Sequence, residues 1–180
     1  MKDRREVVFM SVLQTIQDRY SVRKFKDTEI EQEKLDRILE AARLAPTAKN
    51  QQPQKVYVCK SPKALEAIDA ATKCRYGAPV VLVVCYDENE VWHNPFDASV
   101  HSGEVDATIV ADEMILTAWE EGIASCWVAW FNPSQLTRGL KLQSNIRPVV
   151  MIPIGYKADD AEPASRHLES KDLKEMVHEL

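Results

Sequence analysis

Glycine is scarce: there are five in 180 residues, and none falls in a G-x-G-x-x-G or G-x-x-x-x-G-K-[ST] run. A Rossmann dinucleotide site or a P-loop needs such glycines so that backbone amides can approach phosphate, and neither is supported. The four histidines show no H-x-x-x-H spacing. The four cysteines (Cys59, Cys74, Cys85, Cys126) contain no C-x-x-C pair. The sequence therefore predicts no metal site and no disulfide framework, which suits a reducing, cytoplasmic setting. There is no G-x-S-x-G elbow either. The longest apolar run, residues 80–85, is strand-sized and far short of the ~18 residues of a membrane span. Net charge is −5, from 23 basic and 28 acidic residues. That balance argues against nucleic acid as a partner and leaves room only for a local basic site, matched to a small anion.

What is present is ordinary globular composition, 45% hydrophobic and 28% charged, with no repeats and no internal linker, so a single α+β domain over residues 1–180 is expected. The N-terminal stretch mimics a signal peptide only faintly. Acidic Asp3 and Glu6 spoil its charged head, and an amphipathic helix over residues 6–19 is the better reading. Thr28 and Glu31 have the spacing of a capping box before a second helix, whose inward face is Leu35, Ile38, Leu39 and Ala42 and which stops near Pro46. "KVYVCK" reads as a strand. Ser61-Pro62 and Asn132-Pro133 each supply an N-cap followed by a first-turn proline for a short helix. "APVVLVVCY" reads as a strand buried on both faces, with Cys59 and Cys85 as small core residues.

Residues 87–103 form a long irregular stretch carrying Trp92, His93, Phe96 and His101. A loop of this length in a compact domain is commonly functional or mobile. A long helix follows over residues 104–121, with Gly122 as its stop. Val105, Ile109, Leu116 and Trp119 lie on one face; Ala107, Ala111, Met114 and Ala118 make a second face apolar. Burial nearly all round requires a deep core or a second subunit. "SCWVAWF" and "RPVVMIPIGY" read as further strands.

Two stretches carry candidate chemistry. "RYSVRKF" gathers Arg19, Ser21, Arg23 and Lys24. Guanidinium forks match phosphate oxygens and a serine hydroxyl can complete the cradle, although a solvated run of charges has the same composition. "RLAPTAKNQQPQ" crowds Asn50, Gln51, Gln52 and Gln54 around Lys49. Amides both donate and accept, so they suit the alternating C=O and N–H edge of a flat heterocycle; a polar surface turn is the plainer use.

Taken in order, "RYSVRKF", "ILEAARLAPTAKNQQP", "APVVLVV", "EEGIASCWVAWF" and "MIPIGY" resemble the FMN-dependent nitroreductase family over residues 19–177. The resemblance implies a central, mostly antiparallel sheet flanked by helices, and an interlocked homodimer with FMN at the interface. It implies that Arg19 and Ser21 grip the FMN phosphate, with backbone contact from Tyr20, and that Arg23 faces the flavin N1/O2 edge. Pro46, Thr47 and Ala48 resemble the segment lying against the flavin from the partner chain, with Asn50 and Gln52 as its polar tail. Ala129 and Trp130 match positions on the N5/O4 side. Arg166 matches the basic residue closing over the phosphate, and Lys73 is a further candidate at the flavin edge. Lys49, Gln54 and Ala124 depart from the family pattern, and none of them belongs to the phosphate grip.

The implied activity is ping-pong hydride transfer from NAD(P)H to a nitroaromatic or quinone-like acceptor. No side chain is expected to act as a catalytic group, because flavin N5 carries the hydride. Trp92, Phe96 and Trp130 are candidates for the acceptor slot. A dehalogenase-like flavin reductase and a flavin-binding sensor or store fit the same scaffold.

Overall fold

The computed structural model describes residues 11–180. The fold is α+β, as expected. Its elements in chain order are α1 (Val12–Asp18), α2 (Gln32–Leu44), β1 (Gln54–Cys59), α3 (Pro62–Ala71), β2 (Val80–Asp87), α4 (Gly103–Glu120), β3 (Ala124–Ser125), α5 (Pro133–Leu140) and β4 (Ile146–Gly155). The four strands form an antiparallel sheet in the order β1-β2-β4-β3.

β2 is the centre of this sheet, and its apolar run explains why. Side chains alternate across a strand, so a segment apolar at consecutive positions can bury both faces. Val80, Leu82 and Val84 pack with Ile38 and Ala42 of α2 and Val110, Ala111 and Met114 of α4. Val81, Val83 and Cys85 join Ile68 of α3, Leu136 of α5 and Met151 of β4 on the other face. Each such fully buried aliphatic side chain contributes roughly 1.5–3 kcal/mol relative to exposure. Burial also pushes the thiols of Cys59 and Cys85 up to about 11 and about 12, so both are inert core residues as expected.

The helix signals hold where proline sets the first turn. Ser61 caps α3 by accepting from the Ala64 N–H at 3.3 Å, and Asn132 caps α5 by accepting from the Gln135 N–H at 3.0 Å. The Thr28–Glu31 capping box does not form. Glu31 is itself the cap residue of α2 without a side-chain bond to the helix, because the Tyr156 hydroxyl takes its carboxylate. Of the first predicted helix, residues 6–10 lie outside the described residues; Ser11 is extended and caps a helix that begins at Val12. Gly122, at φ +72, ends the turn beyond α4. At the other end, Gly103 lets α4 meet the Tyr86 ring, where an added Cβ would stand 2.6 Å from ring carbons.

"SCWVAWF" is the main departure among the strands. Within it only Ser125 belongs to a strand, β3, and Val128 adds an isolated bridge to Met151. Cys126 and Val128 still bond Pro153 and Met151 of β4, while Trp127, Ala129 and Trp130 turn outward. α4 matches its predicted span to within one residue at each end. The Ala107, Ala111, Met114 and Ala118 face is buried, but the other is uncovered in a single chain: Val105 is 60% exposed, and Ile109 and Leu116 line an open groove of about 610 Å³ with Val12 and Trp127. The 87–103 stretch is fastened at its base, where His93 pairs with His101 and the Ser102 N–H donates to the Trp92 carbonyl at 2.9 Å.

Candidate functional site

Extended backbone after α1 carries "RYSVRKF" along two neighbours. Ser21 pairs with Ser125 of β3, and the Val22 N–H donates to the Ser125 carbonyl at 2.9 Å. On the other side the chain leaving β4 runs antiparallel to it. The Lys26 N–H bonds the Tyr156 carbonyl at 2.8 Å, the Ala158 N–H bonds Lys24, and Lys24 and Lys26 form ion pairs with Asp160 and Asp159. This pairing brings the C-terminal tail across to Arg19. The buried Tyr20 fixes the junction, its hydroxyl donating to the Ala161 carbonyl at 3.0 Å and its ring set edge-on to Trp119 at 5.4 Å.

The result is a cavity of about 200 Å³ lined by Arg19, Tyr20, Ser21, Arg23, Ala164, Arg166 and His167. Five of these were expected from the sequence. Three guanidinium groups border the cavity, and no carboxylate does. The Nε of Arg19 is buried and finds no acceptor among the described residues. A buried charged donor left open calls for an anion, and a phosphate would satisfy it. The residues therefore fit the phosphate end of FMN.

A larger cavity, about 620 Å³, lies between the end of α3 and the chain after β3, lined by residues 69–74 and 130–133. Lys73 and Trp130 border it, and the Trp130 side chain is 85% exposed. Its walls are held together by the Thr72 hydroxyl donating to the Trp130 carbonyl at 2.6 Å and by the Asn132 N–H donating to Ala71 at 2.9 Å. Neither Ala129 nor Trp130 donates its backbone N–H to another described residue, and of the two Trp130 lines this cavity. Trp92 and Phe96 line neither cavity, and Phe96 is 97% exposed.

Arg23 lines the smaller cavity. Its guanidinium neighbours the Tyr76 phenol and the Cys126 thiol. Tyr76 is held above the usual phenol range, first by its hydrogen bond to Cys74 and then by burial, with Arg23 acting in the opposite sense. Cys74 lies in turn on the wall of the larger cavity. Tyr76 also sits at φ +56, a conformation costly for an aromatic residue and one that persists only where the surroundings enforce it.

The amide segment stands apart from both cavities in the single chain. Lys49, Asn50 and Gln52 all have positive φ. The turn is closed by the Gln52 N–H donating to the Thr47 hydroxyl at 3.0 Å and by the Gln52 side-chain amide donating to Asn50 at 3.0 Å. It is tethered to α4 through Asp106, which is 2% exposed and accepts from the Ala48 N–H. Pro46, Thr47, Ala48, Asn50 and Gln52 are thus together, but not beside Arg19 or Trp130 of their own chain.

The Nitroreductase family model matches residues 16–76 and 73–156. The chain belongs to the nitroreductase family. A nitroreductase family protein from Clostridium difficile 630 superposes with a TM-score of 0.88 at 35% identity, covering 94% of this chain and 98% of that one. An FMN-dependent nitroreductase from Clostridium difficile R20291 gives 0.75 at 29% identity, over 92% and 97%. An FMN reductase [NAD(P)H] from Bacillus subtilis is 27% identical over 82% of this chain and 66% of its own length.

In this nitroreductase-family chain, three residues of the site neighbourhood escaped the sequence reading. Asp106 had a signal: a lone acid one position from Ala107 and four from Val110 on a buried helix face. Tyr76 had a weaker one, the Tyr-Gly pair at a turn. His167 had none beyond adjacency to Arg166, since only the tail's return past Tyr20 brings it into the cavity.

Proposed function

We propose that the chain forms one FMN-binding domain over residues 1–180 and works as a homodimer, taking hydride from NAD(P)H and reducing a nitroaromatic or quinone-like acceptor. The observation that carries this reading is the cavity among Arg19, Ser21, Arg23 and Arg166, with a buried Arg19 Nε that lacks an acceptor. The names of two relatives support it: one neighbour is an FMN-dependent nitroreductase, and one relative is an FMN reductase using NAD(P)H.

FMN, when bound, supplies the hydride acceptor and donor that no side chain provides. Arg19, Ser21 and Arg166 hold the phosphate, with Tyr20 fixing the backbone between them. Arg23 faces the N1/O2 edge, where a fixed positive charge in a partly dry site stabilises negative charge. Lys73 and Trp130 border the larger cavity, with Ala129 next to Trp130 in the chain; nicotinamide and acceptor would occupy that cavity in turn, and such sharing is the basis of a ping-pong order. The amide turn reaches the flavin from the second copy of the chain. Two features support this: no residue of the turn lines either cavity of its own chain, and one face of α4 is uncovered.

Heat release followed by chromatography tests the cofactor, with one FMN per chain expected. Recovery of FAD, or a colourless protein that fails to take up FMN, overturns the assignment. Stopped-flow bleaching by NADH and NADPH, followed by an acceptor screen, tests the activity. Slow reduction by both nucleotides would leave a flavin store rather than a reductase.

A further inference from the structure

We infer that His167 is a further ligand for the cofactor phosphate and makes retention of the cofactor depend on pH. This rests on the FMN reading above and adds a titratable group to a cradle otherwise built from permanently charged arginines. His167 lines the same cavity as Arg19, Ser21, Arg23 and Arg166. It is half-buried, with its ring centroid 5.8 Å from that of Tyr20 and tilted by 57°. Tyr20 is itself held by Ala161 and Trp119, so the imidazole rests on a fixed surface rather than swinging on a free tail. Backbone geometry adds to this: the His167 N–H donates to the Ala164 carbonyl at 2.8 Å, within the short 3-10 turn Ser165–Leu168.

The charged side chains that line the cavity beside His167 are all basic. Arg19 and Arg23 come from the segment after α1 and Arg166 from its own turn, while Lys157, from the chain after β4, holds its ammonium 5.8 Å from the centre of the Tyr20 ring. No carboxylate lines the cavity. A dianionic phosphate bound among these cations favours a proton on an imidazole within reach of it, so phosphate binding and protonation of His167 are linked. Histidine is the side chain whose charge changes between about pH 5 and 8, whereas arginine stays charged throughout. The sign follows. Affinity gained from the imidazolium is present on the acid side and lost as pH rises.

Apoprotein titrated with FMN and with riboflavin at pH 6.5 and 8.5 tests the inference, using the unaltered chain, His167→Gln and His167→Arg. A phosphate monoester loses its second proton near pH 6, so the ligand itself changes little over this interval. FMN affinity of the unaltered chain is expected to fall about tenfold from pH 6.5 to 8.5, the scale of one charge-assisted hydrogen bond. His167→Gln is expected to bind about tenfold more weakly than the unaltered chain at pH 6.5 and to lose most of that difference at pH 8.5. His167→Arg should bind tightly at both. Riboflavin, lacking phosphate, should distinguish none of the three. A ratio between the unaltered chain and His167→Gln that is the same at both pH values overturns the proposal. So does an equal loss with riboflavin, which would mean that His167 only packs against Tyr20. Failure of the underlying reading is visible without any variant: the unaltered chain would bind no flavin, or would bind riboflavin as tightly as FMN.

Discussion

The carboxylate of Asp106, on the buried side of α4, accepts the backbone N–H of Ala48 at 2.9 Å, while its second oxygen, also buried, meets no donor among the described residues. The bond anchors a turn in which Lys49, Asn50 and Gln52 all hold positive φ. Such conformations cost of order 1–3 kcal/mol each and persist only where neighbours over-determine them. Asp106→Ala removes the anchor, and a hydrogen bond to a charged group contributes about 1.5–3 kcal/mol. For a chain of this size each kcal/mol shifts the melting midpoint by roughly 2–4 °C, so a drop of several degrees is expected at fixed protein concentration. Asp106→Asn keeps an acceptor for Ala48 and removes a buried charge, so it should stay near the unaltered value. If Asn melted as low as Ala, the unpaired oxygen would have a donor in the assembly, contrary to its isolation in the single chain.

Much of this architecture was legible because it rests on local chemistry. The consecutive apolar residues of β2 permit only a strand buried on both faces, and Ser61-Pro62 and Asn132-Pro133 each combine a cap with a preset first turn. What sequence could not show is decided by partners far along the chain. Glu31 is taken by Tyr156 rather than by a capping box. The strand expected from "SCWVAWF" ends at Ser125, where Ser21 pairs with it and Trp127, Ala129 and Trp130 face outward. Within the cradle, Arg19 through Arg23 could be read as one motif. Arg166 was reachable only through resemblance, and His167 only through the fold.

The cradle is tested by comparing Arg19 with Lys26. Lys26 belongs to the same segment but pairs with exposed Asp159 at 2.5 Å, and exposed pairs contribute only about 0–1 kcal/mol. Arg19→Ala should weaken FMN binding by on the order of ten- to a hundredfold, and the loss should persist at high salt because the group is partly buried. Lys26→Ala should change it little. Fluorescence titration of apoprotein at two salt concentrations reads both. Equal, small effects would mean that these cations are merely solvated.

Dimerisation is tested on the uncovered face of α4. Val105 is 60% exposed, and on the same face Ile109 and Leu116 line a groove with Val12 and Trp127, edged by Asp112, Glu113 and Glu120. Apolar patches of this kind mark interfaces, and burying an unpaired charge there is costly. Val105→Asp should shift the chain toward monomer in light scattering at micromolar concentration and weaken FMN retention with it. A variant that is monomeric yet holds FMN normally would show that the amide turn of a second copy is not needed.

The core thiols set an alkaline limit on stability. Burial raises Cys59 from 9.0 to about 11, and burial together with the neighbouring Cys59 raises Cys85 from 9.0 to about 12. In the unfolded chain both thiols ionise near 9, so above that pH the unfolded state binds fewer protons than the folded one. Stability must then fall with rising pH. The contribution of each thiol is complete below pH 9 and is lost as pH climbs through its folded value, about 11 for Cys59 and about 12 for Cys85. Denaturation midpoints measured from pH 8 to 11 should therefore decline. Cys85→Ala should flatten that decline at the expense of a small cavity and a lower midpoint at pH 8. Within the same experiment, a thiol reagent at pH 8 should label half-buried Cys74 before Cys59 or Cys85. An alkaline slope left unchanged by Cys85→Ala, or rapid labelling of Cys85 in the folded chain, would show that β2 opens far more readily than its complete burial implies.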